Sequence, residues 1–133
     1  MTNLLPAAPW AIITATVEAD GPFTSPRNEI ANNMLLDLLY EYDVAMLRGT
    51  YNAVDQGPSF LVLNIPEKQA LELACFFRQE SILTQNGLVY VDGRPTVPRD
   101  KARDVFGPDA EKEDFYSTLL GSGESFSLGL DWG

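Results

Sequence analysis

Two helix starts marked by proline, each placed after an apolar run, constrain the fold of this chain more than any other feature. The run at residues 10–17 is rich in aromatic and β-branched side chains and ends at the turn Asp20-Gly21-Pro22, so it predicts a buried strand. Ser25 suits a helix N-cap and Pro26 suits the first helical position, which predicts a helix to about residue 42. The apolar face of this helix is predicted from residues that recur every four positions: Ile30, Met34 and Leu38.

A hairpin and a second helix follow. Residues 45–53 and 59–65 predict two strands, joined by a loop at residues 54–58 that contains Asp, Gly and Pro. Asn64 as a cap and Pro66 then indicate the start of the second helix. Beyond it, residues 81–84 and 88–91 predict short strands around Asn86-Gly87, a dipeptide typical of tight hairpins.

The predicted order is therefore strand, helix, strand, strand, helix, strand, with one added strand. Because crossovers between strands are right-handed, this order predicts an α+β fold of the ferredoxin-like split β-α-β type, in which an antiparallel sheet carries two helices on one face. We expect this α/β sandwich core to span residues 1–98. Residues 99–133 predict an acidic extension of short helices and a tail, packed on the same domain.

Within the extension, residues 99–105 and 111–120 predict short helices. The tail has apolar side chains at alternate positions, which is the period of a strand: Phe126, Leu128, Leu130 and Trp132. Such a tail either adds an edge strand to the sheet or docks on a partner.

Charge and missing residue types narrow the function. The chain has no histidine, one cysteine and a net charge of −10. Histidine is the usual proton carrier near neutral pH and the commonest metal ligand, so we expect a non-enzymatic protein without cofactor or metal. The acidity disfavours direct contact with nucleic-acid phosphates and with anionic membranes, and it favours a protein partner with a basic surface. The first ten residues lack the pattern of a signal peptide, so we expect a cytoplasmic location.

Several short motifs occur together in the first two thirds of the chain. They lie at residues 10–15, 59–62 and 77–79, with Asn28 and Gly49 between them. This set resembles an uncharacterised bacterial and phage family known as domain of unknown function 3293, over about residues 10–91. The resemblance implies a compact α/β domain and supplies no established activity.

The polar positions of that family are matched by a set of four uncharged side chains: Thr14, Asn28, Ser59 and Gln79. The chain departs from the family pattern at Thr16-Val17, where an Asn-Pro pair is usual, and at Gly57, where an acidic residue is usual. Neutral donors and acceptors of this kind either recognise a small polar ligand or satisfy buried backbone groups.

A second candidate site lies in the C-terminal extension, where acidic residues and aromatic residues of the kind found at interfaces are concentrated. Its members are Asp109, Glu111, Glu113, Asp114, Phe115, Tyr116, Phe126 and Trp132. The acidic members lack the spacing of a calcium loop, and the aromatic members could equally pack beneath the tail.

The sequence thus predicts an acidic inhibitor or regulator that engages a basic surface of a protein partner. In a phage, such a protein would be a counter-defence factor against a nucleic-acid-handling system of the bacterial host. The alternative is a domain that binds or sequesters a small ligand in a neutral polar pocket. A hydrolase that depends on carboxylates is a third possibility, although no pair of carboxylates stands out.

Overall fold

The computed structural model describes residue 5 and residues 9–132, and within them it contains two α-helices, three short 3-10 helices and nine strands. The helices are α1 (Pro26–Leu38) and α2 (Glu67–Phe76). The strands are β1 (Trp10–Ile13), β2 (Asp43–Tyr51), β3 (Val54–Leu63), β4 (Ser81–Thr84), β5 (Gly87–Tyr90), β6 (Val97–Pro98), β7 (Val105–Phe106), β8 (Phe115–Leu119) and β9 (Ser125–Ser127). Two predictions fall largely outside the described residues. They are the outer boundaries of the domain, at residues 1 and 133, and the absence of a signal peptide in the first ten residues.

All nine strands belong to one sheet in the order β6-β5-β4-β1-β3-β2-β8-β9-β7, and each pair of neighbours is antiparallel. The sheet is curled. Arg99, directly after β6, forms a bridge with Leu130, which follows β9, so the two ends of the sheet approach each other. The protein is therefore an α+β domain built on a large curled antiparallel sheet. No helix of the described part is long and apolar enough to cross a membrane.

Two hydrophobic clusters lie on opposite faces of the sheet, and successive side chains of β1 belong alternately to one and to the other. Ala11 and Ile13 of β1 belong to the helix cluster, which also contains buried residues of both helices, among them Leu35 and Ala74. Trp10 and Ile12 belong to the C-terminal cluster, together with Leu61, Phe126 and Leu128. Because successive strand residues point to opposite faces, each side of β1 is covered.

The helix α1 begins as predicted, with the Ser25 hydroxyl accepting a hydrogen bond from the Asn28 amide and Pro26 in the first turn. The prediction of its apolar face is wrong, because the residues assigned to that face are exposed: Ile30 by 63%, Met34 by 45% and Leu38 by 47%. The residues that α1 buries are Asn28, Asn32 and Leu35.

Hydrogen bonds to the chain after β1 explain this orientation. The Asn32 side-chain oxygen accepts from the Ala15 amide at 2.9 Å, and the Asn32 amide group donates to the Thr16 hydroxyl at 2.9 Å. Residues 14–17 have left the sheet and need partners for their buried backbone groups. Two buried asparagines supply them, so the face of α1 that points inward carries Asn28 and Asn32, and the predicted apolar face points outward.

Two further predictions on strands and helices are wrong. Residues 111–120 contain no α-helix, because residues 115–119 form β8 and pair with β2 from Leu47↔Leu119 to Tyr51↔Phe115. Residues 54–58 are part of β3, and the hairpin turns instead at Asn52-Ala53. Both turn residues have positive φ, at 48° and 66°, which is the geometry of a tight two-residue hairpin.

The tail adds a strand to the sheet, as one of the two predicted outcomes required, but β9 is not an edge strand, because it lies between β8 and β7. At residues 99–105 the predicted helix is reduced to one 3-10 turn, Lys101–Arg103, followed by β7. The hairpin at Asn86-Gly87 is confirmed by the pairing of β4 with β5.

Candidate ligand-binding cleft

A cleft of about 830 Å³ opens on the side of the sheet that carries the C-terminal cluster. Central strands line one side of it, for example through Ile12, Ser59 and Leu83. The C-terminal strands and tail line the other side, for example through Ser117 and Leu128. The curl of the sheet therefore creates the cleft, because it folds the C-terminal strands back toward β1 and β4.

The floor of the cleft includes a row of small residues on three adjacent strands. Gly57 of β3 lies opposite Gly49 of β2, which in turn lies opposite Ser117 of β8. All three line the cleft and all three are buried. At Gly49 and Ser117 this row leaves space that larger side chains would fill.

The fold requires glycine at position 57 but not at position 49. Gly57 has a φ of 83°, and a Cβ there would collide with the Phe23 ring, so the fold itself requires glycine at 57. Gly49 has no such constraint, because its φ is not positive and a Cβ would meet only the Gln56 Cβ, at 3.8 Å. The fold would accept a side chain at 49, and its absence keeps the cleft open.

Ser117 places an unpartnered polar group in this floor. The residue is only 5% exposed, and its hydroxyl makes no hydrogen bond with any described residue. Ser59 also lines the cleft with a hydroxyl that lacks a partner in the described part of the chain. By contrast, the Ser125 hydroxyl on the neighbouring strand lies 3.0 Å from the Thr118 hydroxyl. Among the described residues only Arg99 Nε is both buried and without a partner, so the Ser117 hydroxyl faces the open cleft, where water or a polar ligand atom can bond to it.

Aromatic side chains stand around the opening of the cleft. The Tyr51 and Phe115 rings lie 6.2 Å apart and are tilted by 53°. Each of them is about half exposed, and Trp132 near the end of the tail is 68% exposed. All three line the cleft, so they form an aromatic rim that solvent or a ligand can reach.

Three charged residues also line the opening. Arg103 forms an ion pair with Asp100, with its Nε 3.1 Å from the carboxylate. Glu113 and Asp114 are exposed, and neither carboxylate forms an ion pair with a described residue. The rim therefore presents two free negative charges beside one neutralised positive charge.

A buried ion pair fixes the C-terminal wall of the cleft. Arg99 and Asp104 are only 6% and 10% exposed, and their two-pronged contact has N···O distances of 2.8 and 2.7 Å. Gly129, which lines the cleft, donates its amide to Asp104 at 2.7 Å and accepts from Arg99 at 2.9 Å. These bonds attach the tail to the segment after β6 and hold the cleft in shape.

Of the four predicted ligand-binding residues, Thr14 and Ser59 line the cleft. The Thr14 hydroxyl donates to the Pro58 carbonyl at 2.8 Å, so it is already engaged. Asn28 and Gln79 lie outside the cleft and bind backbone groups. The Gln79 amide donates to the carbonyl of Thr16, at 3.0 Å.

Asn28 is 1% exposed, and its side chain holds the segment after β1 against α1 through hydrogen bonds to the backbone. Its amide nitrogen lies 3.0–3.1 Å from the carbonyl oxygens of Val17, Gly21 and Pro22, and its oxygen accepts from the Val17 amide at 2.9 Å. The four side chains therefore do not converge on one ligand. Thr14 and Ser59 line the cleft, whereas Asn28 and Gln79 bond to backbone groups outside it.

The predicted partner-binding residues also separate. Four of them line the opening of the cleft: Glu113, Asp114, Phe115 and Trp132. Asp109 is exposed and pairs with Lys112 at 3.1 Å, Glu111 accepts from the Ser125 hydroxyl at 3.3 Å, and Tyr116 is half-buried.

Phe126 was predicted to contact a partner, and the structure corrects this. It is 1% exposed and packs in the C-terminal cluster, with its ring 6.5 Å from that of Phe106. Its side chain also lines the inner part of the cleft. A protein partner cannot reach it without opening the domain.

Sequence reasoning missed Ser117, Tyr51 and Arg103 as cleft residues, and it gave Gly49 no role of its own. Ser117 fell in a predicted helix, so no pattern assigned it to a sheet. Gly49 carried a usable signal, because a glycine inside a predicted strand often marks a close approach of a ligand.

No protein-family model matches the chain, and no curated protein matches it. No group of three or more acidic, cysteine or histidine residues in the described ranges is arranged to hold a metal ion.

Proposed function

We propose that this protein is a non-enzymatic binding protein that holds a small molecule in the cleft. The observation that carries the proposal is the bare floor at Gly49 and Ser117. A buried glycine that the fold does not require lies opposite Ser117, whose hydroxyl faces the cleft and has no protein partner in the described chain. Together they leave room and one available hydrogen-bonding group inside the cleft.

The size and lining of the cleft support a small ligand. Small-molecule sites commonly have volumes of about 300–1,000 Å³ and are mostly apolar with a few placed polar groups. The cleft has about 830 Å³, with Ile12, Leu83 and Leu128 beside the hydroxyls of Ser59 and Ser117. A ligand with an apolar body and at least one hydrogen-bonding group matches this lining.

A thermal-shift screen with a small-molecule library tests the proposal. Compounds that occupy the cleft should raise the melting temperature of the wild-type protein and lose this effect in Ser117→Leu, which fills the floor. Ser122→Leu is the matched control, because Ser122 is exposed in the turn between β8 and β9. Compounds that stabilise both variants equally, or a library that yields no stabilising compound, would contradict the proposal.

We also propose the finer fold and the family that the sequence indicated. The sheet order β4-β1-β3-β2, with α1 between β1 and β2 and α2 between β3 and β4, supports a ferredoxin-like split β-α-β unit with both helices on one face. Membership of domain of unknown function 3293 is supported by the place of Thr14 and Ser59, two of the family's polar positions, in the cleft.

A second candidate function is the acidic inhibitor or regulator, in which a basic surface of a protein partner covers the opening of the cleft. The free carboxylates of Glu113 and Asp114 beside the exposed rings of Phe115 and Trp132 favour it, because aromatic residues are frequent interface hot spots and complementary charge steers association. The setting would be the bacterial cytoplasm, where a phage protein of this kind would counter a nucleic-acid-handling defence.

An affinity pull-down from a bacterial lysate at low and high salt distinguishes this second function. A protein captured at low salt, released at high salt and lost in Glu113→Lys/Asp114→Lys would support it. Capture that is insensitive to both changes, or no specific capture, would contradict it.

A further inference from the structure

We propose that the ligand of the cleft is an organic cation, with an ammonium group at the rim and an apolar body directed toward Gly49 and Ser117. This inference rests on the proposed small-molecule function and adds the chemical class of the ligand. Its evidence is the chemistry of the rim together with the unpartnered Ser117 hydroxyl beneath it.

The aromatic rim suits a positive charge. Tyr51, Phe115 and Trp132 all line the opening and are half exposed or more, so their ring faces are accessible. The face of an aromatic ring carries negative electrostatic potential, and rings grouped around an opening bind ammonium groups.

The carboxylates at the rim act in the same direction. Glu113 and Asp114 are free of ion pairs within the described residues, and Arg103 is paired with Asp100. The chain as a whole carries a net charge of −10, so the field at the rim attracts cations and repels anions. A phosphate or carboxylate ligand would meet no free basic side chain among the residues that line the cleft.

The interior of the cleft determines what the cation must be attached to. Below the rim, the lining consists of small or apolar residues and neutral hydroxyls, among them Gly49, Ser59, Leu83 and Ser117. An inorganic cation would find no cluster of ligating side chains in the described residues. An alkyl or aryl body can fill this space, and a polar atom on it can bond to Ser117.

Three probes of one shape test the inference: phenethylamine, phenethyl alcohol and hydrocinnamate. They share an aromatic ring and differ in carrying a positive, neutral or negative group at neutral pH. Amide NMR titration should show that the amine binds about threefold to tenfold more tightly than the alcohol, with the carboxylate weakest. Raising the salt concentration should weaken only the amine.

Two charge-neutralising pairs serve as variant and control. Glu113→Gln/Asp114→Asn should reduce the advantage of the amine over the alcohol to less than about twofold. Asp37→Asn/Glu41→Gln removes the same charge from an exposed region around the end of α1 and should leave that advantage intact.

The outcomes separate this inference from the proposed function. If amine and alcohol bind equally and both are lost in Gly49→Leu, the cleft binds small molecules and the cation inference is overturned. If the amine binds preferentially but Gly49→Leu does not affect it, its site is outside the cleft and the inference is likewise overturned. Preferential binding that is lost in both Gly49→Leu and Glu113→Gln/Asp114→Asn supports it.

Discussion

Replacing Gly49 by alanine should stabilise the protein, because nothing in the fold requires glycine there. Glycine inside a strand costs about 0.5–1 kcal/mol relative to alanine, since it loses more backbone entropy on folding. The backbone at 49 has no positive φ, and the nearest atom to a new Cβ would be the Gln56 Cβ, at 3.8 Å. The full entropic gain should therefore appear as increased stability.

The expected gain is about 0.5–1 kcal/mol in the free energy of unfolding. For a chain of 133 residues, this corresponds to an increase of about 2–5 °C in melting temperature. Urea denaturation followed by circular dichroism gives the free energy, and a thermal melt gives the temperature. Gly49→Leu should lose binding of every compound that occupies the cleft, while its circular dichroism spectrum shows that it still folds.

Gly57→Ala is the matched control, since it is a neighbouring glycine in the same row. Its positive φ and the Phe23 ring in the way of a Cβ predict a loss of stability. If Gly49→Ala also destabilised the protein, glycine at 49 would be a requirement of the fold. The inference that its missing side chain serves a ligand would then be refuted.

Three further predictions concern the framework around the cleft. Asn28→Ala should lower the free energy of unfolding by at least about 2 kcal/mol, because it removes the hydrogen bonds of a buried side chain to the backbone of Val17, Gly21 and Pro22, whereas the exposed Asn33→Ala should change it by less than about 0.5 kcal/mol in the same urea titration. Asp104→Ala should lower the free energy of unfolding by about 3–5 kcal/mol, because it leaves the Arg99 guanidinium buried and unpaired; Arg99→Leu/Asp104→Leu should recover only part of that loss, since the Gly129 amide loses its acceptor in both variants, and equal losses in both would contradict the role given to the pair. Met34→Gln should change the melting temperature by less than about 2 °C, and a larger fall would mean that this face of α1 is covered.

Local signals in the sequence were sufficient for elements whose ends are fixed by turn or cap chemistry. The start of α1 follows from Ser25 and Pro26, whose effects act within one helical turn. The β4-β5 hairpin follows from Asn86-Gly87 in the same way. These residues act on their immediate neighbours, so the rest of the fold does not change their meaning.

Long-range partners decided the features that sequence could not give. Asn32 determines which face of α1 points inward, because its side chain bonds to Ala15 and Thr16. A search for apolar periodicity cannot detect a buried amide of this kind. The strand β8 exists because it pairs with β2, and without that partner its sequence gives a helical prediction. The same pairing brings Ser117 beside Gly49, which explains why the floor of the cleft was not predicted.

The most direct test of the account is an amide NMR spectrum of the wild-type protein, titrated with a compound that stabilises it in the thermal-shift screen. If the cleft holds the ligand, the largest shifts occur around Gly49 and Ser117 at the floor and around Tyr51 and Phe115 at the rim. Shifts confined to the exposed face of α1 or to the turn at residues 108–112, with the cleft unchanged, would contradict it.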